Sequence, residues 1–285
     1  MAEPSVRTKR WICPSCERQR TTPYCSQCGE EPLRPLDLTA RDLATQLFNG
    51  LSSIDGRLLR SFRLLLLKPG ALTVAHVRGE RRAYLGPLPL FLIANALFFG
   101  MQSLTHTSIF SSPLASHLHG QDWSVLAGRL VADRLQARHT TLAAFAPLFD
   151  RAAMLNAKSL IILMALAFTP FAAAMFYVRH RPIGVHLVFS LHLYVFVLLV
   201  FCAELAVVEI DLLAGGEGLA SPAIDIGLSL IAFAACAVYL FLMLGAVHDA
   251  RPAVRAAAAF ALAAIVAALV PGYRFAIFLV TLYTT

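Results

Sequence analysis

Four cysteines near the start of the chain have a spacing that suits metal chemistry. Cys13-Pro-Ser-Cys16 and Cys25-Ser-Gln-Cys28 form a C-x2-C-x8-C-x2-C array. In each pair a tight turn lets two thiolates converge on one ion. Four thiolates close a tetrahedron, which suits Zn²⁺ and leaves no open coordination position for a reaction. Gly29, directly after Cys28, suits the left-handed backbone that such turns often require. An iron–sulfur cluster uses the same donors, and spacing alone does not separate it from zinc. Two disulfides would need an oxidising compartment, and a redox dithiol would need a strand-to-helix setting that is absent here. Residues 1–35 therefore read as a structural zinc knuckle, whose metal folds a unit too small for a core.

A second group of polar residues lies in apolar sequence. His186-Leu-Val-Phe-Ser190-Leu-His192-Leu-Tyr194 is followed by Glu204. Ionisable groups at membrane depth are expensive and are functional suspects for that reason. His186 and His192 are six residues apart, so on a helix they point about 120° apart and cannot clamp one metal together. His186 and Glu204 are eighteen apart, on one face and about 27 Å apart along the axis. They read either as hydrogen-bond partners between helices or as a polar path. Arg81, Arg82 and Tyr84 make a third group, suited to anchoring at a bilayer surface or to lipid-headgroup binding. His117, His119 and His139 read as surface histidines, and Cys202 and Cys236 as small buried hydrophobes. No G-x-S-x-G, H-E-x-x-H, Walker A or dinucleotide fingerprint occurs.

The elements that must position these residues follow from composition. Of 285 residues, 58% are hydrophobic and 14% charged, with a mean hydropathy of +0.67. A soluble domain carries about 25% charged residues, so a disordered chain and most soluble enzymes are excluded. The net charge of +7 could suggest nucleic acid, but 14 of the 24 Lys/Arg precede Tyr84. That asymmetry fits a membrane-proximal segment facing anionic lipid, and no nucleic-acid partner is expected. Residues 36–84 read as amphipathic interfacial helices. One starts at the capping box Thr39-Ala-Arg-Asp42, and a basic one runs from Asp55 to Lys68 before Pro69-Gly70. Residues 85–285 form the transmembrane part. Apolar runs at 85–104, 158–178, 186–208, 222–247 and 253–270 are each about long enough to cross a bilayer. The loop 105–157 between the first two carries two amphipathic helices, around Trp123 to Leu130 and Leu142 to Phe149. Residues 273–285 are too short to cross alone, with a bend expected at Pro271-Gly272.

Lys/Arg counts orient these spans. The segment before Tyr84 has fourteen, residues 105–158 have five, Arg179 and Arg181 come next, 209–221 has none, Arg251 and Arg255 follow, and Arg274 is last. Alternating sides places eighteen against six. The N-terminus is therefore expected in the cytoplasm and the loop 105–157 outside.

The arrangement resembles a bacterial family of unknown function, DUF3667. The likeness lies in the paired cysteines, in G-x-R-x-x-Y-x-x-P (Gly79, Arg81, Tyr84, Pro87) after the Asp55 to Gly70 stretch, and in H-L-x-F-x-L-H from His186 to His192. The resemblance implies a zinc-ribbon membrane protein and supplies no activity. The expected fold is an all-α polytopic membrane protein of about five transmembrane helices with a small N-terminal four-cysteine knuckle, in a bacterial inner membrane. The expected function is a membrane-anchored interaction or scaffold protein whose cytoplasmic zinc domain docks a protein partner. A transporter or channel using the third span is the first alternative. A membrane-embedded enzyme acting on a lipid or quinone is the second.

Overall fold

A computed structural model of the chain describes residues 10–25, 27, 56–105, 109–176, 182–248 and 251–285. Cys28, Gly29 and the capping-box sequence Thr39 to Asp42 lie outside the described residues. At the N-terminal end Trp11–Ile12 (β1) pairs antiparallel with Gln19–Arg20 (β2), with Trp11 opposite Arg20. The turn between them carries Cys13 and Cys16. The Glu17 amide donates to the Cys13 carbonyl at 2.8 Å, and the Cys13 amide to the Arg18 carbonyl at 3.0 Å. Glu17, at φ 55, takes the left-handed conformation that closes the turn. It holds the place after the first cysteine pair that Gly29 holds after the second.

Ten α-helices follow among the described residues. The basic amphipathic helix expected from Asp55 to Lys68 is α1, Arg57–Leu67, with Leu59 and Leu67 exposed and Ser61 and Leu65 buried. Ser61 Oγ accepts from the Leu85 amide at 2.9 Å and donates to the Arg57 carbonyl at 2.8 Å, tying α1 to the start of the first long helix. Next is α2, Ala71–Arg78, framed by two left-handed glycines, Gly70 and Gly79. The Gly79 amide donates to the His76 carbonyl and the Glu80 amide to the Ala75 carbonyl, which is the Schellman arrangement that satisfies a helix end. The glycine of the G-x-R-x-x-Y stretch thus has a backbone role.

Helix α2, which the sequence places among the interfacial helices of residues 36–84, packs one side into the bundle. Leu72, Thr73, Ala75 and His76 are each at most 7% exposed. Gly70 turns the chain back so closely on α9 (Pro222–His248) that an added Cβ would lie 2.8 Å from Ala246 Cβ and 2.9 Å from the Met243 carbonyl oxygen.

The remaining helices are α3 (Pro87–Leu104), α4 (Leu114–His119), α5 (Ser124–Ala137), α6 (Leu142–Leu160), α7 (Ile162–Met175), α8 (Ile183–Leu213), the α9 just named and α10 (Pro252–Thr284). Prolines open α3 and α10, where a missing amide hydrogen costs nothing. Helix α8 is central and packs on α2, α3, α7 and α9, while α10 packs on α6, α7 and α9. Phe110, from the segment between α3 and α4, meets Phe98, Phe201 and Tyr273 edge-on at 5.5–5.6 Å. It thereby joins α3, α8 and α10.

Helices α3, α8, α9 and α10 are long and apolar enough to cross a membrane, and the pair α6–α7 makes a fifth if it counts as one span. Only 28–44% of each of the four single-helix windows is buried inside the bundle, so apolar side chains face outward, as in a helix that meets lipid.

Two helix bounds differ from the sequence reading. The apolar run 158–178 is not one straight helix, since the chain bends by 46° between α6 and α7. The break falls at Ile161, where no proline or glycine stands. A helix end leaves its last four carbonyls without intrahelical partners. Two of those in α6 accept side-chain donors from other helices: Tyr273 donates to the Ala157 carbonyl at 2.7 Å, and Asn95 to the Lys158 carbonyl at 3.4 Å. The second difference is α10, which runs unbroken through Pro271 to Thr284.

Candidate functional site

The described thiols of the cysteine array come together. The Sγ atoms of Cys13, Cys16 and Cys25 lie within 4.8 Å of one another, and those of Cys16 and Cys25 are 3.5 Å apart. Sulfurs bound to one tetrahedral zinc at about 2.3 Å are about 3.8 Å apart, so the spacing fits one ion. Cys13 and Cys25 are buried and Cys16 is partly exposed. Arg20 on β2 faces Cys16 and Cys25, placing a cation beside thiols whose metal-bound form is anionic. The cluster is built by the hairpin, with the indole nitrogen of Trp11 bonded to the Thr22 carbonyl at 2.8 Å.

The candidates on α8 fall into two places. His192 is buried and its Nδ1 lies 2.8 Å from Thr73 Oγ1 of α2. His76, also on α2, is close enough to interact electrostatically with it. The Nε2 atoms of His76 and His192 are buried with no hydrogen-bond partner among the described residues. Burial, with the nearby Arg81 adding to it, lowers the His76 imidazole to about 4, so it is neutral in the fold. His186 is buried, and its carbonyl accepts from Ser190, whose hydroxyl meets Thr169 of α7 at 3.0 Å. Of the surface candidates, Arg82 is exposed, while Arg81 and Tyr84 are half-buried.

Glu204 stands apart from both histidines. It lines a cavity of about 340 Å³ between α8, α9 and α10, which neither His186 nor His192 lines. Asp225, in the first turn of α9, and Arg274 of α10 share that cavity. The Glu204 Oε1 atom is buried and has no hydrogen-bond partner among the described residues. Arg274 donates from Nε to the Ile109 carbonyl at 2.8 Å and interacts with the charge of Asp225.

Sequence reasoning missed Thr73, His76, Asp225 and Arg274. Asp225 went unremarked inside the apolar run 222–247 and Arg274 counted as a tail charge; only the bundle brings them into one cavity with Glu204. His117 corrects an expectation, because it is 1% exposed rather than at the surface. Its Nδ1 accepts from the Trp123 indole at 3.2 Å, and its ring lies 4.8 Å from that of Phe278. Burial, followed by the charge of Arg274, lowers it to about 4. His119 and His139 are exposed.

These features define a class: a helical membrane protein carrying a cysteine cluster placed to bind a metal ion. Within that class, residues 55–99 match the family described as protein of unknown function (DUF3667). The matched segment spans α1, α2 and most of α3. It contains Thr73, His76 and both glycines that frame α2. No curated protein and no solved structure matches the chain.

Proposed function

We propose that this is a membrane-anchored interaction protein, in which a cytoplasmic zinc knuckle docks a protein partner and the helical bundle holds that knuckle at a bacterial inner membrane. The carrying observation is the convergence of Cys13, Cys16 and Cys25 on a two-stranded hairpin. A thiolate-bound zinc contributes folding energy and offers no reactive position. The hairpin meanwhile turns Ile12 (63% exposed) and Tyr24 (54% exposed) outward. Cys28 is the fourth ligand in this reading. Arg82, with Arg81 and Tyr84 beside it, anchors the entry to α3 at the lipid headgroups.

Elemental analysis of the purified full-length protein should give one zinc per chain, falling to about one tenth or less in the Cys16→Ser, Cys25→Ser double variant. Iron in place of zinc would replace the metal. Photo-crosslinkers at Ile12 and Tyr24 should trap the same partner in cells, and the double variant should lose it. An unchanged crosslink pattern would overturn docking by the knuckle.

A second reading, a transporter or channel, is favoured by the place of Glu204 in a cavity between three helices. It draws no support from His186 or His192, which do not line that cavity. An enzyme acting on a lipid or quinone has no comparable observation behind it among the described residues.

A further inference from the structure

The cavity between α8, α9 and α10 is more polar towards the start of α9 and more apolar beyond it. Asp225 lies in the first turn of α9, whereas Cys236, eleven residues on, lines the same cavity, about 16 Å further along the helix. On α10, Arg274 and Ala263 are separated by the same number of residues. On α8, Glu204 and Phe196 are eight apart, about 12 Å along the axis. Asp225 and Arg274 therefore sit towards the end at which α9 begins, while Glu204 lies deeper, nine residues before the end of α8 at Leu213. For a helix that crosses a bilayer, the start is the level of the lipid headgroups. Beyond it the lining is apolar apart from Ser229.

The charges are complementary to a zwitterion. Arg274 is held by the Ile109 carbonyl through Nε, which leaves its terminal nitrogens to meet an anionic oxygen. Asp225 answers part of that cation. Glu204 then remains as a second carboxylate, with Oε1 buried and unpartnered among the described residues. A buried acceptor without a donor calls for a ligand that supplies one. A volume of about 340 Å³ is in the range of small-ligand pockets.

We propose that this cavity binds the head and upper chain of an aminophospholipid. The phosphate meets Arg274, the ammonium donates to Glu204, and the acyl chain lies along the apolar lining beside Phe196, Cys236 and Ala263. The shared chemistry, a protonated amine and a phosphate, also occurs in free phosphoethanolamine. The apolar depth of the cavity favours the lipid. This proposal does not rest on docking by the knuckle, and either can fail alone.

The test is native mass spectrometry of the delipidated full-length protein, titrated with phosphatidylethanolamine, its N-methyl and N,N-dimethyl forms, phosphatidylcholine and phosphatidylglycerol. On the wild-type protein, retention of one lipid should weaken stepwise along the methylation series, to at least tenfold between ethanolamine and choline. Glu204→Gln and Arg274→Gln should each weaken ethanolamine-lipid retention about tenfold; Glu204→Gln should also flatten the methylation series, whereas Arg274→Gln should weaken phosphatidylglycerol retention as well. A flat methylation series would overturn the proposal without reference to any variant. Equally tight binding of soluble phosphoethanolamine would overturn the assignment to a lipid.

Discussion

At the residue scale the informative groups are those whose position the fold forces. Gly70 has φ +86 and touches the backbone of α9. Gly70→Ala adds left-handed strain of about 1–2 kcal/mol and an overlap with the Met243 carbonyl that side-chain movement cannot relieve. The expected loss is about 2–4 kcal/mol, read as a lower Tm in detergent, with Gly56→Ala, which meets open space, as the near-neutral control. His76 and His117 give a pH signature. Burial holds each at about 4, helped by Arg81 and Arg274 respectively, against an ordinary value of 6.5. On acidification the unfolded chain takes up those protons first. Stability is therefore flat above about pH 6.5 and falls between there and about 4, by at most about 1.4 kcal/mol per pH unit for each histidine. The drop in Tm from pH 7.5 to 5 should be smaller in His76→Gln than in the wild type. An identical drop would mean that His76 is charged or solvated in the fold.

At the element scale the bend between α6 and α7 depends on donors from elsewhere. Tyr273→Phe leaves the buried Ala157 carbonyl without its 2.7 Å partner, a loss of about 1–3 kcal/mol. Thermal unfolding would reveal it. Phe at that position keeps the ring contact with Phe110, so the loss would report the hydrogen bond rather than the packing. This dependence also explains why the bend was not legible in the sequence. Ile161 is neither proline nor glycine, and the donors that meet the last turn of α6, from Asn95 and Tyr273, lie more than sixty residues away in either direction. The cysteine spacing, the amphipathic α1 and the long apolar helices were legible, because each expresses a local periodicity or motif. The burial of α2 was not: Ala71–Arg78 is short, with Thr73 and His76 among its apolar residues, and only its docking on α8 and α9 makes it interior. His117 was misread for a similar reason, since Phe149 and Phe278 of its aromatic surroundings come from distant helices. Asp225 and Arg274 gained meaning only when three helices aligned them with Glu204.

At the scale of the whole molecule, the number of crossings decides where the termini lie. Helices α3, α8, α9 and α10 alone give an even count, and the α6–α7 pair makes it odd. With five crossings, reporters fused before Met1 and after Thr285 fall on opposite sides of the membrane. On the proposed topology, in which the basic segment ahead of Tyr84 stays inside, the first of them is the internal one. Reporters on the same side would show that the bent pair does not traverse the bilayer.

The contact between Gly70 and the Met243–Ala246 stretch has a mechanical consequence. It lies near the C-terminal end of α9, some twenty residues from Asp225 in the first turn. A bulkier residue at position 70 would therefore press on α9 at the end away from Asp225, outside the cavity lining.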